Sequence, residues 1–310
     1  MKAAICTGYG SPEVLQIRDV PKPTPKHYQV LVKIHAADVN ASDCIVRGFK
    51  LSRWSPKGIM MGAVIGFRRP RNPILGMIFA GEIEAVGEGV KRYKPGDAVF
   101  GTTIKGGMNF GTYAEYKCLS QDSIMALKPA SISYVEAAAV PYGAGLALCF
   151  LKKGRLQRGQ KILIYGASGA IGTAAVQLAM YHFGADVTGV CSTKNLDLVL
   201  SLGAERVIDY TKEDAATLGE RYDLILDAVG KRKSSTFKEQ CQQALTGKYI
   251  SVDGGNPHYT LDDMRLFADL LETGKFKAVI DRCYPLDDIV EAHRYVDTGH
   301  KRGNVILTIA

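Results

Sequence analysis

The chain has 310 residues and a formal net charge of +8, with 39 Lys and Arg against 31 Asp and Glu. A single hydrophobic core rarely grows beyond about 250–300 residues, so we expect two domains. Charges or glycines interrupt every apolar run before it reaches the about 20 residues of a membrane span, and the start has no signal-peptide core. We therefore expect a cytoplasmic protein without a membrane partner. Seven cysteines with no Cys-x-x-Cys pair predict reduced, mostly buried thiols.

The first 125 residues are basic and rich in strand patterns. They hold 17 Lys and Arg against 10 Asp and Glu, with the densest run at Arg68-Arg69-Pro70-Arg71. A nucleic-acid partner would require a binding module or interleaved aromatics, and neither is present, so we expect solvated loops and no nucleic-acid partner. The segment 46–73 is irregular. Strand-like segments lie at 3–7, 14–20, 29–37, 78–86, 98–102 and 113–119.

A phosphate-binding turn follows in the second part of the chain. The apolar run 161–165 ends at Gly166, and small and apolar residues beyond it share one helical face. Glycine lets the backbone approach a diphosphate closely, and the free amides at a helix start attract its charge. The alternative is a flexible strand-to-helix joint without a ligand. The residues predicted to hold a dinucleotide's diphosphate are Gly166, Ser168, Gly169, Ala170, Ile171 and Gly172.

Strand and helix patterns alternate after this turn. The helix patterns lie at 195–202 and 235–245. They separate strand patterns at 186–191, 206–210, 223–229 and 249–253. This alternation predicts an open parallel sheet. The expected fold class is α/β, a Rossmann doubly wound parallel sheet plus a β-rich domain.

The end of the strand at 186–191 bears on cofactor choice. NAD sites usually place an Asp or Glu there, which would repel a 2′-phosphate. This chain has Ser192, Thr193 and Lys194, whose hydroxyls and ammonium suit a phosphate, and Tyr210 ends the next strand. We therefore expect NADPH. The alternatives are that Ser192 caps a helix, that Lys194 is a solvated charge, and that Tyr210 is a half-buried strand aromatic.

The tail does not continue this alternation. It has helix patterns at 261–272 and 287–296 and strand patterns at 278–284 and 304–309, and we expect it to return to the first lobe. The predicted domains are residues 1–125 for substrate and catalysis, 126–257 for NADP(H), and 258–310 as the return to the catalytic domain.

Motifs along nearly the whole chain resemble one superfamily. They include Tyr9 to Leu15, Val39-Asn40-Ala41-Ser42-Asp43, Lys94-Pro95-Gly96-Asp97, Gly111 to Tyr116 and Asp227-Ala228-Val229-Gly230. Together with the phosphate turn, these motifs are similar to those of the medium-chain dehydrogenase/reductases, and within them to the zinc-independent quinone oxidoreductase branch. The resemblance implies a GroES-like first lobe and a cleft in which NADPH reduces a small-molecule substrate, a quinone or an activated C=C bond. It also implies cofactor contacts from Gly230, Val252 and Gly254.

The zinc positions of this superfamily are occupied differently here. Zinc-dependent members supply a Cys three residues before the motif's Asp and a Gly-His-Glu sequence further on. Asn40 and Met77 stand at two of those positions, so we expect no metal. Cys44 is adjacent but misplaced, and we expect it to be a buried structural thiol.

Asn40 and Ser42 are the predicted catalytic residues. Asn40 offers an amide N–H to a developing enolate oxygen, and Ser42 occupies the place where zinc relatives carry their proton-relay hydroxyl. Their alternative role is structural, as a helix cap. Water can protonate the enolate, so no separate protonated base is required.

Two departures from the relatives lead to further expectations. Leu146 stands where relatives carry a threonine that faces the nicotinamide. The short passage from Gly254 to Leu261 lacks a segment that relatives use in dimer pairing, so we expect a monomer or a weak dimer. We expect the Asn256-Pro257 turn and the helix after it to fold over the exposed edge of the sheet. A non-catalytic NADPH-binding sensor or crystallin-like protein on this fold is the alternative function. A zinc alcohol dehydrogenase is disfavoured by Asn40 and Met77.

Overall fold

The chain forms two compact units. The computed structural model describes residues 1–49, 52, 54–104, 109–212, 221–230, 236–254, 258 and 260–309. The first unit comprises Met1–Pro141, Tyr259–Asp269 and Ile280–Ala310, and the second comprises Tyr142–His258 and Leu270–Val279. The first unit therefore continues past residue 125, because that position lies inside a strand of its sheet, and residues 270–279 of the tail belong to the second unit.

The first unit is built on a seven-stranded, mostly antiparallel sheet. Its core contains Val30, Phe79 and Ile83, and Ile83 lies between the exposed Glu82 and Glu84. A separate antiparallel pair joins β1 (Lys2–Cys6) to β2 (Leu15–Asp19). The sheet order is β13 (Ile280–Pro285), β14 (Asn304–Thr308), β3 (Gln29–Asp38), β4 (Ile78–Val86), β5 (Ala98–Thr102) and β7 (Ile124–Leu127), with β6 (Tyr116–Ser120) paired to β3.

Among the described residues, five α-helices lie wholly or mostly in the first unit. They are α1 (Ala41–Gly48), α2 (Pro56–Ile65), α3 (Tyr134–Ala138), α8 (Leu261–Glu272) and α9 (Ile289–Asp297). The expectation of irregular structure over 46–73 was wrong, because α2 occupies its centre. This helix starts at Ser55, whose hydroxyl accepts a bond from the Gly58 N–H at 3.0 Å, and ends at Gly66 with φ of +108°.

The second unit contains the predicted parallel sheet. The strand order β10-β9-β8-β11-β12 is the Rossmann arrangement, which confirms the expected fold class. The strands are β8 (Lys161–Tyr165), β9 (Asp186–Cys191), β10 (Arg206–Asp209), β11 (Tyr222–Asp227) and β12 (Leu245–Ser251). The helices are α4 (Pro141–Gly154), α5 (Ala170–Leu178), α6 (Leu196–Ser201) and α7 (Thr236–Gln243).

Among the described residues, one helical stretch is long and apolar enough to cross a membrane. It runs over Tyr134–Gly154, and 78% of its most apolar window is buried inside the protein. The expectation that no stretch approaches the length of a span was therefore wrong. The burial is typical of a core helix. All seven cysteines are free thiols, and four of them, Cys6, Cys44, Cys191 and Cys241, are buried.

Candidate active site

The turn between β8 and α5 has the backbone geometry of a phosphate-binding turn. Gly166 has a φ of +80°, which favours glycine, and its N–H donates to the Val190 carbonyl at 3.0 Å. A Cβ on Gly172 would lie 2.1 Å from the Gly166 carbonyl oxygen. The first turn of α5 can therefore pack against the loop only because residue 172 has no side chain.

The start of α5 is open toward an anion. Gly169 is its N-cap residue and supplies no side chain to the first-turn amides. A Cβ on Gly169 would meet only the Gly166 carbonyl oxygen, at 3.6 Å, so space remains in front of these amides. Ala170 and Ile171 begin the helix, and Ser168 lies beside them. Free amides, the helix dipole and open space together fit a diphosphate group.

The loop after β9 contains Ser192, Thr193 and Lys194, as predicted. Only some of these side chains are available to bind a phosphate. The Thr193 hydroxyl donates to the Asp209 carboxylate, which also accepts from the Thr211 hydroxyl at 2.6 Å. These bonds lower the pKa of Asp209. Thr193 is therefore occupied by a neighbouring carboxylate, whereas Lys194 is exposed and forms no ion pair with the described residues. Tyr210 is exposed.

Asn195, which sequence reasoning missed, connects the two phosphate loops. Its buried Nδ2 donates to Ser168 Oγ at 3.1 Å and to Ser192 Oγ at 3.3 Å. It therefore ties the phosphate turn to the loop after β9. The sequence carries no signal for this, because the contact joins residues 27 positions apart.

The loop after β11 is fixed by a buried carboxylate. Asp227 Oδ1 accepts from the N–H groups of Val229 at 3.1 Å and Gly230 at 3.0 Å. Its Oδ2 accepts from the Tyr249 hydroxyl at 2.7 Å and forms an ion pair with Lys238, which also donates to the Gly230 carbonyl. Burial raises the pKa of Tyr249 well above its ordinary value. The sequence analysis did not identify Lys238 and Tyr249 as partners of Asp227, because nothing in their spacing along the chain connects them to it.

The other residues predicted near the nicotinamide lie at the carboxyl end of β12. The Val252 N–H donates to the Asp227 carbonyl at 3.1 Å, and the Gly254 carbonyl accepts from Lys153. A Cβ on Gly230 would lie 2.5 Å from the Asp253 carboxylate, so glycine is required there. Leu146 is buried in α4.

In the first unit, Asn40 caps α1. Its Oδ1 accepts from the N–H groups of Ser42 at 2.9 Å and Asp43 at 3.2 Å, while Asp43 Oδ2 accepts from the Asn40 N–H at 3.2 Å. This is a capping box. Asn40 is fully buried, and its Nδ2 makes no hydrogen bond of ordinary geometry to the described residues. Ser42 is half-buried. The structural role considered for Asn40 is thus present.

A buried polar cluster surrounds this cap. Burial raises the pKa of Asp38 to about 7, although Lys301 and the nearby Asn40 amide lower it. Burial and the Asp38 charge raise the pKa of Asp43 to about 8. Cys44 is buried, as predicted, with its Sγ 3.5 Å from His293 Nδ1. The pKa values of both carboxyl groups therefore lie near neutral pH instead of near 4.

Across the described parts of the chain, no three His, Cys, Asp or Glu side chains lie together as a metal-ligand set. Asn40 and Met77 are both buried. The side chains at these two positions, an amide and a thioether, are poor zinc ligands.

Comparisons with known proteins place this geometry in a family. Residues 26–129 match the alcohol dehydrogenase GroES-like domain, and residues 170–263 and 256–307 match two zinc-binding dehydrogenase profiles. The chain is 34% identical to 2-methylene-furan-3-one reductase of Solanum lycopersicum, over 99% of this chain and 79% of that protein. It is 31% identical, with the same coverage, to the chloroplastic NADPH-dependent alkenal/one oxidoreductase of Arabidopsis thaliana.

Comparison with solved structures supports the same family. The quinone oxidoreductase from Coxiella burnetii superposes with a TM-score of 0.82 at 26% identity, covering 100% of this chain and 99% of that one. A GroES-like unit and a Rossmann unit with a glycine turn define the medium-chain dehydrogenase/reductases. Within them, the chain belongs to the quinone oxidoreductase-like branch, which confirms the resemblance found in the sequence.

Proposed function

We propose that the protein is an NADPH-dependent oxidoreductase that reduces the C=C bond of an enone or alkenal, or a quinone. The observation that carries this is the similarity, over 99% of the chain, to two relatives named as a reductase of a methylene-furanone and an NADPH-dependent oxidoreductase of alkenals and enones. Both names describe a C=C bond conjugated to a carbonyl. The open, glycine-capped start of α5 supports dinucleotide binding.

The second unit holds the cofactor in this proposal. The amides of Ala170 and Ile171 bind the diphosphate beside Gly169, whose own N–H donates to the Gly166 carbonyl at 3.1 Å, while Ser192 and Lys194 bind the 2′-phosphate. Tyr210 adds a hydroxyl there. When bound, NADPH supplies a hydride. Gly230, Val252 and Gly254, held through Asp227, form the backbone at the nicotinamide end.

Ser42 is the proposed donor to the substrate oxygen, and Asn40 is a positioning residue. The Asn40 side chain is fully buried and its Oδ1 is used by the cap, so it acts by holding Ser42 at the first turn of α1. A hydroxyl that donates to the carbonyl oxygen stabilises the negative charge that develops there. Water then protonates the carbon of the enolate.

Substitutions at residues 40 and 42 separate these roles. Serine caps a helix about as well as asparagine but has no amide N–H, so Asn40→Ser should keep kcat near that of the wild type, whereas Asn40→Ala should lower both kcat and the melting temperature. Ser42→Ala should lower kcat with the fold intact. A loss of kcat in Asn40→Ser equal to that in Ser42→Ala would instead assign the amide a direct role.

The reaction is proposed to be independent of zinc. Conjugated substrates are already activated toward hydride, so a Lewis acid is not required, and Asn40 and Met77 stand at two zinc positions. The direct test of the proposed function is a panel of quinones, alkenals and cyclic enones assayed with NADPH. Cofactor binding without turnover of any member would instead favour the non-catalytic alternative. A cytoplasmic location stays a prediction, since the Arabidopsis relative is chloroplastic.

A further inference from the structure

Helix α2 exposes an apolar face that the proposed reaction does not use. Apart from Lys57, its residues are small or apolar. On the inner side, Met61 and Ile65 are buried in the core of the first unit. On the outer side, Ile59, Met60 and Val64 are 50%, 63% and 49% exposed. A helix that is apolar on nearly all sides normally packs against other apolar groups on both faces. The outer face of α2 has no such packing among the described residues.

Two exposed aromatic residues flank this helix in the sequence. Trp54, just before the helix, is 91% exposed. Phe67, just after it, is half exposed, and its ring lies over Gly62, where a Cβ would approach to 2.4 Å. Contiguous exposed apolar surface of this kind marks an interaction site. We call this set the α2 apolar face: Trp54, Ile59, Met60, Val64 and Phe67.

Three arginines lie directly beside the α2 apolar face. Arg68, Arg69 and Arg71 are exposed, and none forms an ion pair with a described carboxylate. The Arg71 N–H donates to the Ile65 carbonyl at 2.7 Å, which ties the arginine turn to the end of the helix. The sequence contains no Asp or Glu between Asp43 and Glu82. The apolar and cationic groups therefore belong to a segment of the sequence that carries no negative charge.

We propose that this surface docks on an anionic lipid membrane. In that arrangement α2 lies in the plane of the interface, Trp54 and Met60 enter the boundary between headgroups and acyl chains, and the three arginines bind lipid phosphates. The sequence-based expectation of no membrane partner considered spanning segments, and a helix that lies on a membrane surface needs no such segment. The attachment is reversible, because it uses one short helix and three charges.

A second copy of the chain is a poorer occupant. In a two-fold dimer the same patch faces itself, so the three arginines of each copy would meet those of the other, and the segment that carries them has no carboxylate to pair with them. A membrane with anionic headgroups supplies the opposite charge and the apolar layer together.

Trp54 is the only tryptophan of the chain and therefore reports on the docking directly. The full-length protein is titrated with vesicles of phosphatidylcholine containing anionic phosphatidylglycerol and, separately, with vesicles of phosphatidylcholine alone. With anionic vesicles at low salt, we expect the Trp54 emission to shift to shorter wavelength, to be quenched by brominated acyl chains, and the protein to sediment with the vesicles. High salt should reverse the binding, because ions screen the arginines.

Charge and apolar variants each have a matched control. The triple variant Arg68→Glu, Arg69→Glu, Arg71→Glu should lower the partition constant by about 100-fold or more. Its control is Lys26→Glu, Lys91→Glu, Lys94→Glu, which makes the same change in net charge at exposed positions elsewhere in the first unit and should bind nearly as the wild type does. Met60→Ser should weaken binding severalfold, whereas Leu200→Ser, at an exposed helix position of the second unit, should not.

Three results would overturn the proposal. One is the absence of any shift or sedimentation at low salt. Another is equal loss of binding in the two triple variants, since attraction would then come from net charge alone. The third is an emission shift without lipid that depends on protein concentration, because the α2 apolar face would then be an interface between proteins.

Discussion

Lys194 and Thr193 are neighbours after β9, yet their side chains have different partners. The Thr193 hydroxyl donates to Asp209, while Lys194 extends into solvent. We therefore expect cofactor preference to depend on Lys194. A charge-assisted bond to a phosphate contributes about 1.5 to 3 kcal/mol, so Lys194→Ala should weaken NADPH binding about tenfold or more and leave NADH binding nearly unchanged.

Calorimetric or fluorescence titration with both cofactors measures this effect. Lys248→Ala, at an exposed position of β12, is the matched control and should bind both cofactors as the wild type does. Equal affinity of the wild type for NADPH and NADH would contradict the assignment.

Two capping boxes of the first unit, at the starts of α1 and α3, predict opposite responses to pH. Asp43 is buried and has its pKa raised to about 8, mainly by burial, against about 3.9 in an unfolded chain. Between these values the unfolded chain releases a proton that the folded protein keeps. The contribution of Asp43 to stability therefore falls as pH rises through this window, by at most about 1.4 kcal/mol per pH unit.

Melting temperatures of the wild type and Asp43→Asn over this range test the sign. Asn keeps an acceptor for the Asn40 N–H, so the wild type should lose stability relative to the variant as pH rises. Glu136 holds the equivalent place in α3, but its pKa is lowered by hydrogen bonds from the Ser133 backbone and hydroxyl. The advantage of the wild type over Glu136→Gln should thus be lost as pH falls below about 4.3. A difference between wild type and Asp43→Asn that does not vary with pH would contradict the account.

Single residues were predicted from the sequence only where local geometry determines their role. The glycines of the phosphate turn follow from adjacent residues, and Asn40 was recognised both as a donor and as a cap. The engagement of Thr193 by Asp209 and the bridge through Asn195 depend on how neighbouring strands align, which the sequence does not show.

At the scale of elements, the start of α5 makes a prediction that separates folding from binding. A Cβ on Gly172 would overlap the Gly166 carbonyl, so Gly172→Ala should lower the melting temperature, at a cost of about 1 to 3 kcal/mol. A Cβ on Gly169 meets no atom closer than 3.6 Å, so Gly169→Ala should melt near the wild type. It should nevertheless weaken NADPH binding, because the methyl group occupies the space in front of the first-turn amides.

Thermal melts and NADPH titration of the two variants check this. Unchanged NADPH affinity in a well-folded Gly169→Ala would show that the diphosphate is bound elsewhere.

The edge strand β12 bears on oligomeric state. It is the last strand of the sheet of the second unit, and Thr246, Gly247 and Lys248 are exposed along it. Lysine on an edge discourages pairing with another chain. The Asn256-Pro257 turn, expected to cover this edge, lies outside the described residues, and Asp262, Asp263 and Arg265 of α8 belong to the first unit. We expect mostly monomer at low micromolar concentration in sedimentation, and a tight dimer that pairs β12 across a two-fold axis would contradict this.

Elements were predicted well where their period is clear. β4, β5, β8 and β9 have the predicted bounds, and β10, β11 and β12 differ by a few residues at their ends. Helix α2 was missed, because apart from Lys57 its residues are small or apolar, Gly58 and Gly62 among them, so no polar and apolar period marks it. β7 was missed because it has only four residues.

For the whole molecule, the central claim is hydride transfer to an activated C=C bond or a quinone without zinc. Family membership and the order of the two units followed from motifs spread along the chain. The identity of the substrate could not be predicted, because no motif in the sequence carries a chemical signature for it.

One measurement tests this claim most directly. Purified protein is incubated in EDTA with an alkenal or a cyclic enone and NADPH deuterated at both C4 positions of the nicotinamide, and the product is analysed by mass spectrometry and NMR. The account predicts turnover in EDTA and a single deuterium on the former β-carbon of the saturated product. Turnover that stops in EDTA and returns with added zinc, or deuterium found on the carbonyl carbon of an alcohol product, would contradict it.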